Sequence, residues 1–336
     1  MKYLLSSFIL IVFFSSCVAQ QQQWVRYEGA QQGVGKGKHI VLVSGDEEYR
    51  SEEALPMLAQ ILAKKYGFTC TVLFSLDQGT ENINPVNQQN IPGLEQLASA
   101  DLMLIFARFR ELPDSQMKYV DEYLKSGKPV IGLRTATHSF NYSRNKTSPY
   151  AKYDFQSKVK GWEDGFGHVV LGETWINHHG IHGSEGTRAL INGVQQDTKN
   201  PLLNGVSDIW CPTDVYTVRE LSPGSQVLIY GQSTSGMNAS APVNLKKSIM
   251  PVAWTRTYSI EGGKTGRVFA TTMGAAVDLV NEDLRRLVIN AVLWASGMED
   301  KIPEKADVGT IGDYKPTMFG FGTHQKGLKV SSFAGK

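Results

Sequence analysis

The sequence predicts an α/β fold in which helices cover both faces of a parallel sheet. Strand-like and helix-like segments alternate four times between residues 39 and 133, and this alternation is typical of such folds. The last of these strands, residues 129–133, is an apolar run that continues directly into polar residues. Because open α/β sheets bind ligands beyond the carboxyl ends of their strands, we expect the functional site just after residue 133.

The first strand-loop-helix unit begins with residues 39–43 (HIVLV), an apolar run that predicts a buried strand. Leucines then recur at helical spacing from Leu55 onward, and Gly67 is predicted to end that helix. Glu52 and Glu53 belong to its first turn, where they complement the helix dipole. The turn before the helix carries four site candidates: Glu47, Glu48, Tyr49 and Arg50.

Two more strands are predicted, at residues 69–76 and 101–106, before the strand at residues 129–133. The helix that precedes the last strand has signals at both ends, with Pro113 at its first position and Gly127 after its last turn. The last strand runs into an elbow of polar residues. The site candidates of this elbow are Arg134, Thr135, Thr137 and His138.

The second half of the chain is less regular. Residues 142–167 form a long polar and aromatic connection, and connections of this length usually build or cover a site. It leads into a segment that contains Trp175, His178, His179 and His182. Three more strands are predicted at residues 227–230, 251–255 and 267–272. A closing amphipathic helix is predicted from an Asn281 cap to Gly297.

Length and charge exclude one class of partner. The chain has 336 residues, and its 34 Lys and Arg nearly balance its 32 Asp and Glu, which gives a formal net charge of +2. This length is enough for one large domain. The balance does not provide the basic surface that binding to a phosphate backbone requires, so we expect no nucleic-acid partner.

Residues 1–19 are predicted to be a signal peptide. They combine Lys2, a short apolar run and small residues before residue 20. The apolar run is too short to span a bilayer, so we expect no transmembrane span in the mature chain. Two outcomes remain open: a lipid anchor on Cys17, or cleavage after Ala19. Either outcome predicts an exported protein, periplasmic or an outer-membrane lipoprotein.

The segments that flank the predicted domain have a different composition. Residues 20–37 are rich in Gln and Gly, which predicts a flexible leader. Residues 300–336 are polar and Gly-rich and are expected to form a tail on the surface. Cys70 and Cys211 lie in the domain between them, and an oxidising compartment permits a disulfide. Their spacing does not show whether they approach within bridging distance.

Several segments, in their order along the chain, resemble one protein family. They are KHIVLVSG, KPVIGLRTATHSF, VVLGETWINHHG, PTDVY, PVAWTRTY with GRVFATTMG, and RRLVINAVLWASG. Over residues 38–299 the chain resembles the ThuA-like (trehalose utilisation) family, a branch of the class I glutamine amidotransferase-like superfamily, and especially its exported members. The resemblance implies a flavodoxin-like three-layer sandwich with a mostly parallel central sheet. It also implies a role in the catabolism of disaccharides, including sugars oxidised to a 3-keto form.

The chain departs from the family pattern at three places. Arg134 stands at the elbow where many members carry a histidine, and Thr213-Asp214 stands where they carry Asp-Glu. Ala275 follows Gly274 where a histidine is common. The resemblance therefore does not transfer a catalytic or metal role to these positions.

The residues argue against glutamine amidotransfer. That chemistry needs a cysteine thiolate on the elbow and a histidine base held by a carboxylate. The elbow offers Arg134 and Thr135 but no cysteine, and no histidine follows the strand that ends before Met273. We therefore expect a protein that has the superfamily fold without amidotransferase activity.

The histidine-rich segment raises a metal-dependent alternative. His178 and His182 have the spacing of neighbours on a helix, but Gly180 argues against a helix and few carboxylates lie nearby. His138 or Asp214 could supply a third ligand. No cofactor is predicted, but a transition metal bound through His178, His182 or His138 stays an open alternative. A protein with such a metal would be a sugar hydrolase or lyase.

General acid/base catalysis on a sugar is the interpretation that we favour. Histidine titrates near neutral pH and can remove the acidified hydrogen next to the carbonyl of a 3-keto sugar. His138 and His178 are the candidate bases, and Arg134 would stabilise the developing enolate oxygen. Glu48 is the fourth catalytic candidate. Isomerisation, epimerisation or elimination would follow.

The remaining candidates would bind the sugar. They are Glu47, Tyr49, Arg50, Thr135, Trp175, His179, Asp214 and Tyr216. Structural roles compete, because Arg134 could pair with Glu47 or Glu48, and His138 could form a capping or core hydrogen bond. A non-catalytic carbohydrate-binding or scaffold protein is the other alternative. The catalytic interpretation requires Glu48, Arg134 and His178 to face one shared hollow.

Overall fold

The structure is a computed structural model that describes residues 23–191 and 200–335. The predicted signal peptide, including Cys17, lies outside the described residues. Within them, one sheet of ten strands forms the centre of the molecule. The strands are β1 (Trp24–Tyr27), β2 (His39–Gly45), β3 (Thr69–Phe74), β4 (Leu102–Ala107), β5 (Val130–Leu133), β6 (Thr187–Leu190), β7 (Trp210–Cys211), β8 (Gln226–Ser233), β9 (Met250–Tyr258) and β10 (Gly266–Thr271).

The centre of the sheet is parallel, as predicted. The strand order is β1-β3-β2-β4-β5-β10-β9-β8-β6-β7. Strands β3, β2, β4, β5 and β10 pair in parallel, whereas β1 and the strands from β9 to β7 pair antiparallel. All residues of β2 are buried, which is expected of a parallel strand covered on both faces.

In the part of the chain that the structure describes, three α-helices cover the sheet: α1 (Ser51–Tyr66), α2 (Asp114–Lys125) and α3 (Glu282–Ala295). Alternate residues of β2 face two separate cores, because side chains of a strand point to opposite faces. Ile40 and Leu42 share one core with α1 and α3. Val41 and Val43 share the other core with α2. The predicted three-layer sandwich is therefore confirmed.

The helix-end signals read from the sequence are present. Gly67 has the left-handed conformation (φ 78°) that favours glycine, and its N–H binds the carbonyl of Ala63. The side chain of Asn281 accepts a hydrogen bond from the N–H of Leu284 (2.9 Å) and caps α3. Pro113 directly precedes α2 rather than occupying its first position. Among the described residues, no helix has the length and apolar character needed to cross a membrane.

Strands β6 and β7 were not predicted, and the expected leader and tail also differ from the prediction. Within the expected leader, Trp24–Tyr27 forms β1 and pairs with β3, because Val25 and Tyr27 alternate with the exposed Arg26 and bury one face of the strand. The expected surface tail also packs against the domain. Val330 is fully buried and belongs to the core that contains α1 and α3.

Three residues other than glycine have positive φ near the carboxyl ends of the central strands. They are Arg50 (φ 62°) before α1, Phe109 (53°) after β4 and Arg134 (46°) directly after β5. Such conformations cost on the order of 1–3 kcal/mol each and cluster at functional sites. The strain therefore points to the same edge of the sheet as the sequence does.

Candidate functional site

Asp214 joins two histidines of the histidine-rich segment. Nδ1 of His178 lies 2.7 Å from one carboxylate oxygen of Asp214, and Nδ1 of His182 lies 3.4 Å from the other. Nε2 of His182 lies 3.1 Å from Oε1 of Glu48. His178 is held in place by a backbone bridge to Tyr216, which brings its segment beside Asp214. Three loops that are distant in sequence therefore meet at one point.

The two histidines remain accessible although their carboxylate partner does not. The Asp214 side chain is fully buried, whereas those of His178 and His182 are 32% and 34% exposed. The two imidazole ring centres are 4.6 Å apart. A bound molecule could therefore reach both imidazoles while Asp214 stays shielded from water.

The local electrostatics favour the protonated form of His182 and the ionised form of Asp214. Hydrogen bonds to Asp214 and Glu48 raise the pKa of His182 to about 9. Burial alone would raise the pKa of Asp214, but hydrogen bonds from His178 and His182 and the charge of Arg134 outweigh burial and hold that pKa below its usual value. At neutral pH, Asp214 is ionised and His182 is protonated.

Arg134 supports Asp214 from inside the protein. Its guanidinium donates to Oδ1 of Asp214 (2.9 Å), to the Asp214 carbonyl (2.7 Å) and to the carbonyl of Thr272 (2.7 Å). The rings of Tyr49 and Tyr216 cover its two sides at 4.5 and 3.8 Å. Of the roles left open for Arg134, the structure shows an ion pair, but its carboxylate partner is Asp214 rather than Glu47 or Glu48.

Glu47 and Glu48 pair with two other arginines, Arg108 and Arg110. Glu47 forms ion pairs with Arg108 and Arg110, and Nε of Arg108 lies 3.3 Å from Oε2 of Glu48. Arg108 directly follows β4. Its position at the carboxyl end of a central strand could have identified it as a candidate site residue. The sequence analysis did not single out either arginine.

The elbow after β5 is buried beneath the histidines. Thr135 donates a short hydrogen bond to Asp46. The His138 ring lies 5.2 Å from the ring of Trp175 and 5.0 Å from that of Phe109. Burial and the nearby charges of Arg108, Arg134 and His178 hold the pKa of His138 well below its usual value. His138 is therefore a neutral side chain in the floor of the site.

Two predicted sugar-binding residues point elsewhere. Nε2 of His179 contacts the carbonyl of Ser248 (2.8 Å), on the other side of its segment from His178. Arg50 is buried and binds the carbonyl of Gly320 (2.8 Å). The remaining candidates, Tyr49, Trp175 and Tyr216, lie around the two histidines.

Phe319 is a further neighbour that the sequence analysis missed. Its ring centre lies 5.4 Å from that of His182 and 5.4 Å from that of Tyr49. It belongs to the segment expected to be a surface tail, and nothing in its local sequence marks it as part of a site. Only the fold shows that this segment returns to the carboxyl edge of the sheet.

The site also has the donor set of a metal centre. One ligand atom each from His178, His182 and Asp214 lie within 4.8 Å of one another. Two imidazoles and a carboxylate suit zinc and other transition metals, and an open position would remain for water or substrate. The sequence left His138 and Asp214 open as the third ligand. In the structure, the third ligand atom comes from Asp214.

The elbow has the backbone of a nucleophile site without its chemistry. Arg134 holds the strained position directly after β5, where an elbow exposes a nucleophile in related architectures. Cys70 and Cys211 are both buried free thiols, and they lie on β3 and β7, away from β5 in the strand order. The described residues thus contain no disulfide between them and no cysteine at the elbow.

A cavity of about 430 Å³ lies elsewhere, between α1 and residues 311–314. Its lining includes Glu53 and Asp313 but none of the histidines or arginines of the carboxyl edge. The lining of this cavity includes carboxylates but no histidine that could act with them in acid/base catalysis. We therefore place the candidate site at His178 and His182.

Comparison with known proteins agrees with the resemblance found in the sequence. The family model for ThuA, described as trehalose utilisation, matches residues 39–295. No curated protein matches the chain in sequence. Among solved structures, a ThuA-like protein from Parabacteroides merdae is 15% identical with a TM-score of 0.49, over 90% of this chain and 100% of that chain. A ThuA-like protein from Bacteroides uniformis is 12% identical with a TM-score of 0.47, over 79% and 94% of the two chains. Because the family model covers most of its length, this chain belongs to the ThuA, or trehalose utilisation, family.

Proposed function

We propose that this protein is an exported enzyme of carbohydrate catabolism that acts on a disaccharide or a 3-keto sugar by general acid/base catalysis. The observation that carries the proposal is the shared contact of Asp214 with His178 and His182. Membership in the trehalose utilisation family supports a sugar as the substrate. The signal-like residues 1–19 support export, with Cys17 as the candidate for a lipid anchor.

His178 is suited to act as the base. Its Nδ1 faces the carboxylate of Asp214 at 2.7 Å, so the N–H lies on that side and the lone pair lies on Nε2. A buried carboxylate that holds a histidine in this way fixes its tautomer and stabilises the cation that forms when it takes a proton. The partly exposed ring can present Nε2 to a substrate.

His182 is suited to act as the acid. Glu48 and Asp214 keep it protonated at neutral pH, with a pKa of about 9. It therefore carries a proton close to His178, whose ring centre is 4.6 Å away.

A 3-keto sugar needs this combination. His178 would remove the hydrogen on the carbon next to the ketone, and the electron pair would move onto the ketone oxygen. His182 would stabilise that oxygen or protonate the departing group. Return of the proton to carbon gives epimerisation or isomerisation, and loss of the glycosidic oxygen gives elimination.

Arg134 has an indirect role in this scheme. Its guanidinium is covered by Tyr49 and Tyr216 and binds Asp214. It is therefore a positioning residue that keeps Asp214 ionised and oriented, and His182 replaces it as the cation nearest the developing oxyanion. His138, neutral and buried, contributes to the floor of the site rather than to proton transfer.

Turnover by two neighbouring histidine variants tests the proposal. Purified protein is incubated with ordinary and 3-keto disaccharides, and products are followed by mass spectrometry. We expect His178→Ala to abolish conversion and His179→Ala to preserve it, because His179 faces Ser248. Binding of the sugar without conversion by the wild-type protein would instead indicate a non-catalytic carbohydrate-binding protein.

A metal-dependent sugar hydrolase or lyase is the second candidate function. It is favoured by the ligand atoms of His178, His182 and Asp214, which lie within 4.8 Å of one another. When bound, a metal would act as a Lewis acid toward a sugar oxygen or activate a water molecule. Elemental analysis of the purified protein and of Asp214→Asn separates the two candidates. A stoichiometric transition metal lost in the variant would favour this second function.

A further inference from the structure

Residues 317–323, which we name the strap, are fixed beside the candidate site. Arg50 donates to the carbonyl of Gly320 (2.8 Å) and to Oγ1 of Thr317 (3.1 Å). The N–H of Gly320 donates to the carbonyl of Glu48 (2.8 Å), in the turn whose carboxylate binds His182. Because Arg50 is buried, these bonds are shielded from water and hold the strap in one position.

The strap brings two aromatic rings to the site. Phe319 packs against His182, with the ring centres 5.4 Å apart. Phe321 lies farther out, and the guanidinium carbon of Arg108 is 4.9 Å from its ring centre. Arg108 in turn contacts Glu48 at 3.3 Å. A chain of contacts through Arg108 and Glu48 thus links Phe321 to His182.

Phe321 is 57% exposed. Its backbone is anchored through the neighbouring Gly320 and its ring contacts the Arg108 guanidinium, so an exposed phenyl ring is held beside the candidate site. Flat aromatic side chains pack well on the apolar C–H faces of sugars. The strap also lies outside residues 39–295, the range that the family model matches. It is therefore a place where this chain can differ from its relatives in substrate choice.

We propose that Phe321 is a specificity-determining residue that stacks on the second sugar ring of a disaccharide, while the first ring reacts at His178 and His182. This inference rests on the proposed function and names its substrate class. Phe319 closes the side of the site next to the acid. Phe321 is linked to His182 through the contacts of Arg108 and Glu48, and we place the second ring of the substrate against it.

The test compares two substrates and four proteins. The substrates are a 3-keto disaccharide and the corresponding methyl 3-keto glucoside, which lacks the second ring. The proteins are the wild type, Phe321→Ala, Phe321→Trp and the control Met318→Ala, which changes a strap residue that is 55% exposed. Stability of each variant is checked by thermal unfolding.

We expect Phe321→Ala to raise KM for the disaccharide by about three- to tenfold, with kcat changed less than about twofold, because a stacked aromatic contact contributes this much to binding. KM for the methyl glucoside should stay unchanged, and Phe321→Trp and Met318→Ala should behave like the wild type. Equal KM values for wild type and Phe321→Ala, or equal increases for both substrates, would overturn the proposal.

Calorimetric binding distinguishes this inference from the proposed function. If the wild type converts neither sugar, the proposed function fails, and the affinity for the disaccharide then tests the strap alone. Weaker disaccharide binding by Phe321→Ala than by Met318→Ala would still support stacking. Equal affinities, or no binding by the wild type, would overturn it.

Discussion

Two histidines at opposite ends of the sheet differ in every property that matters for catalysis. His39 begins β2 and is buried, and its ring nitrogens contact the hydroxyls of Ser99 (3.1 Å) and Thr71 (2.9 Å). Burial and the charge of Arg26 lower its pKa. His182 lies at the carboxyl edge, is partly exposed and has carboxylate partners that raise its pKa to about 9.

The comparison shows that the type of partner decides the role of a histidine. Hydroxyl partners satisfy both nitrogens of His39 without favouring a charge, so the ring behaves as a polar part of the core. The carboxylates beside His182 favour the cation, and exposure lets a substrate reach it. The groups that suit acid/base chemistry thus lie at the carboxyl ends of the central strands, whereas His39, at the start of β2, is part of the core.

Replacing one histidine at each end of the central strands by alanine should give the largest difference in kcat between two variants. His178→Ala should lower kcat by about 10² to 10⁴-fold, because general acid/base groups contribute this much. His39→Ala should leave kcat unchanged and lower the free energy of unfolding by about 1–3 kcal/mol, because it leaves buried hydroxyls without their partner. Steady-state kinetics and urea unfolding of both variants measure the contrast. A kcat loss of similar size in both variants would contradict it.

The buried carboxylate should matter for stability as well as for activity. Asp214→Asn removes the negative partner of the buried Arg134, so we expect the free energy of unfolding to fall by about 3–5 kcal/mol. Asp208→Asn is the matched control. Asp208 is exposed and pairs with Arg188 at the surface, where the loss should stay below about 1 kcal/mol. Similar losses in the two variants would contradict the assigned burial of the Asp214 pair.

Glu52 is buried like Asp214, but its pKa is raised, whereas the pKa of Asp214 is lowered. The carboxyl oxygens of Glu52 have no hydrogen-bond partner in another described residue, and burial raises its pKa to about 8. A raised carboxyl pKa stabilises the protonated folded state at low pH, and this contribution is lost as pH rises from about 4.5 through about 8. Glu52→Gln should therefore be more stable than the wild type at alkaline pH, on the order of 5 kcal/mol, and should gain little at acidic pH.

Urea unfolding at about pH 5 and pH 9 measures this effect. Glu53→Gln is the control, because Glu53 accepts hydrogen bonds from Thr317 near the surface. We expect a much smaller alkaline gain in that variant, because the charge of Glu53 is only one of the causes that raise the pKa of Glu52. An unchanged pH dependence in Glu52→Gln would show that Glu52 finds a partner in solution.

The smallest expected effect is a shift in the pH dependence of activity, caused by a change in the pKa of His182. Glu48→Gln removes one of the two carboxylates that raise the pKa of His182. Since the acid must be protonated, activity should be lost as pH rises through that pKa, and the variant should lose it about one pH unit earlier. The alkaline limb of kcat/KM against pH measures the shift. An unmoved limb would remove His182 from the role of acid.

Much of the fold was predictable because its signals are local. Apolar runs gave the central strands, and residues such as Gly67 and Asn281 marked helix ends. The short strand Trp24–Tyr27 was missed, because four residues carry little periodicity and β3 decides their pairing. Residues after 300 were missed for a similar reason, since only tertiary packing shows that they return to the site.

The site was predictable in part. The sequence placed Glu48, Arg134 and His178 near one edge, and the structure brings all three around Asp214 and His182. It could not tell which neighbours face inward. His178 and His179 are adjacent, yet their rings contact Asp214 and the carbonyl of Ser248, and only the tertiary fold decides which partner each ring meets.

Arg134 shows why residue type alone did not fix a role. A permanent cation at the elbow suggested direct contact with substrate. Its exposure of 1% and its position between two tyrosine rings instead make it a support for Asp214. Burial is a property of the whole fold, so no local pattern could reveal it.

Deuterium exchange tests the central claim, that His178 held by Asp214 removes a proton from sugar carbon. A 3-keto disaccharide is incubated in D₂O with wild type, His178→Ala or His179→Ala, and deuterium on the carbon next to the ketone is followed by NMR. The wild type and His179→Ala should incorporate deuterium at similar rates, and His178→Ala about 10²-fold more slowly. Equal rates in wild type and His178→Ala, or no enzyme-dependent exchange, would contradict the claim.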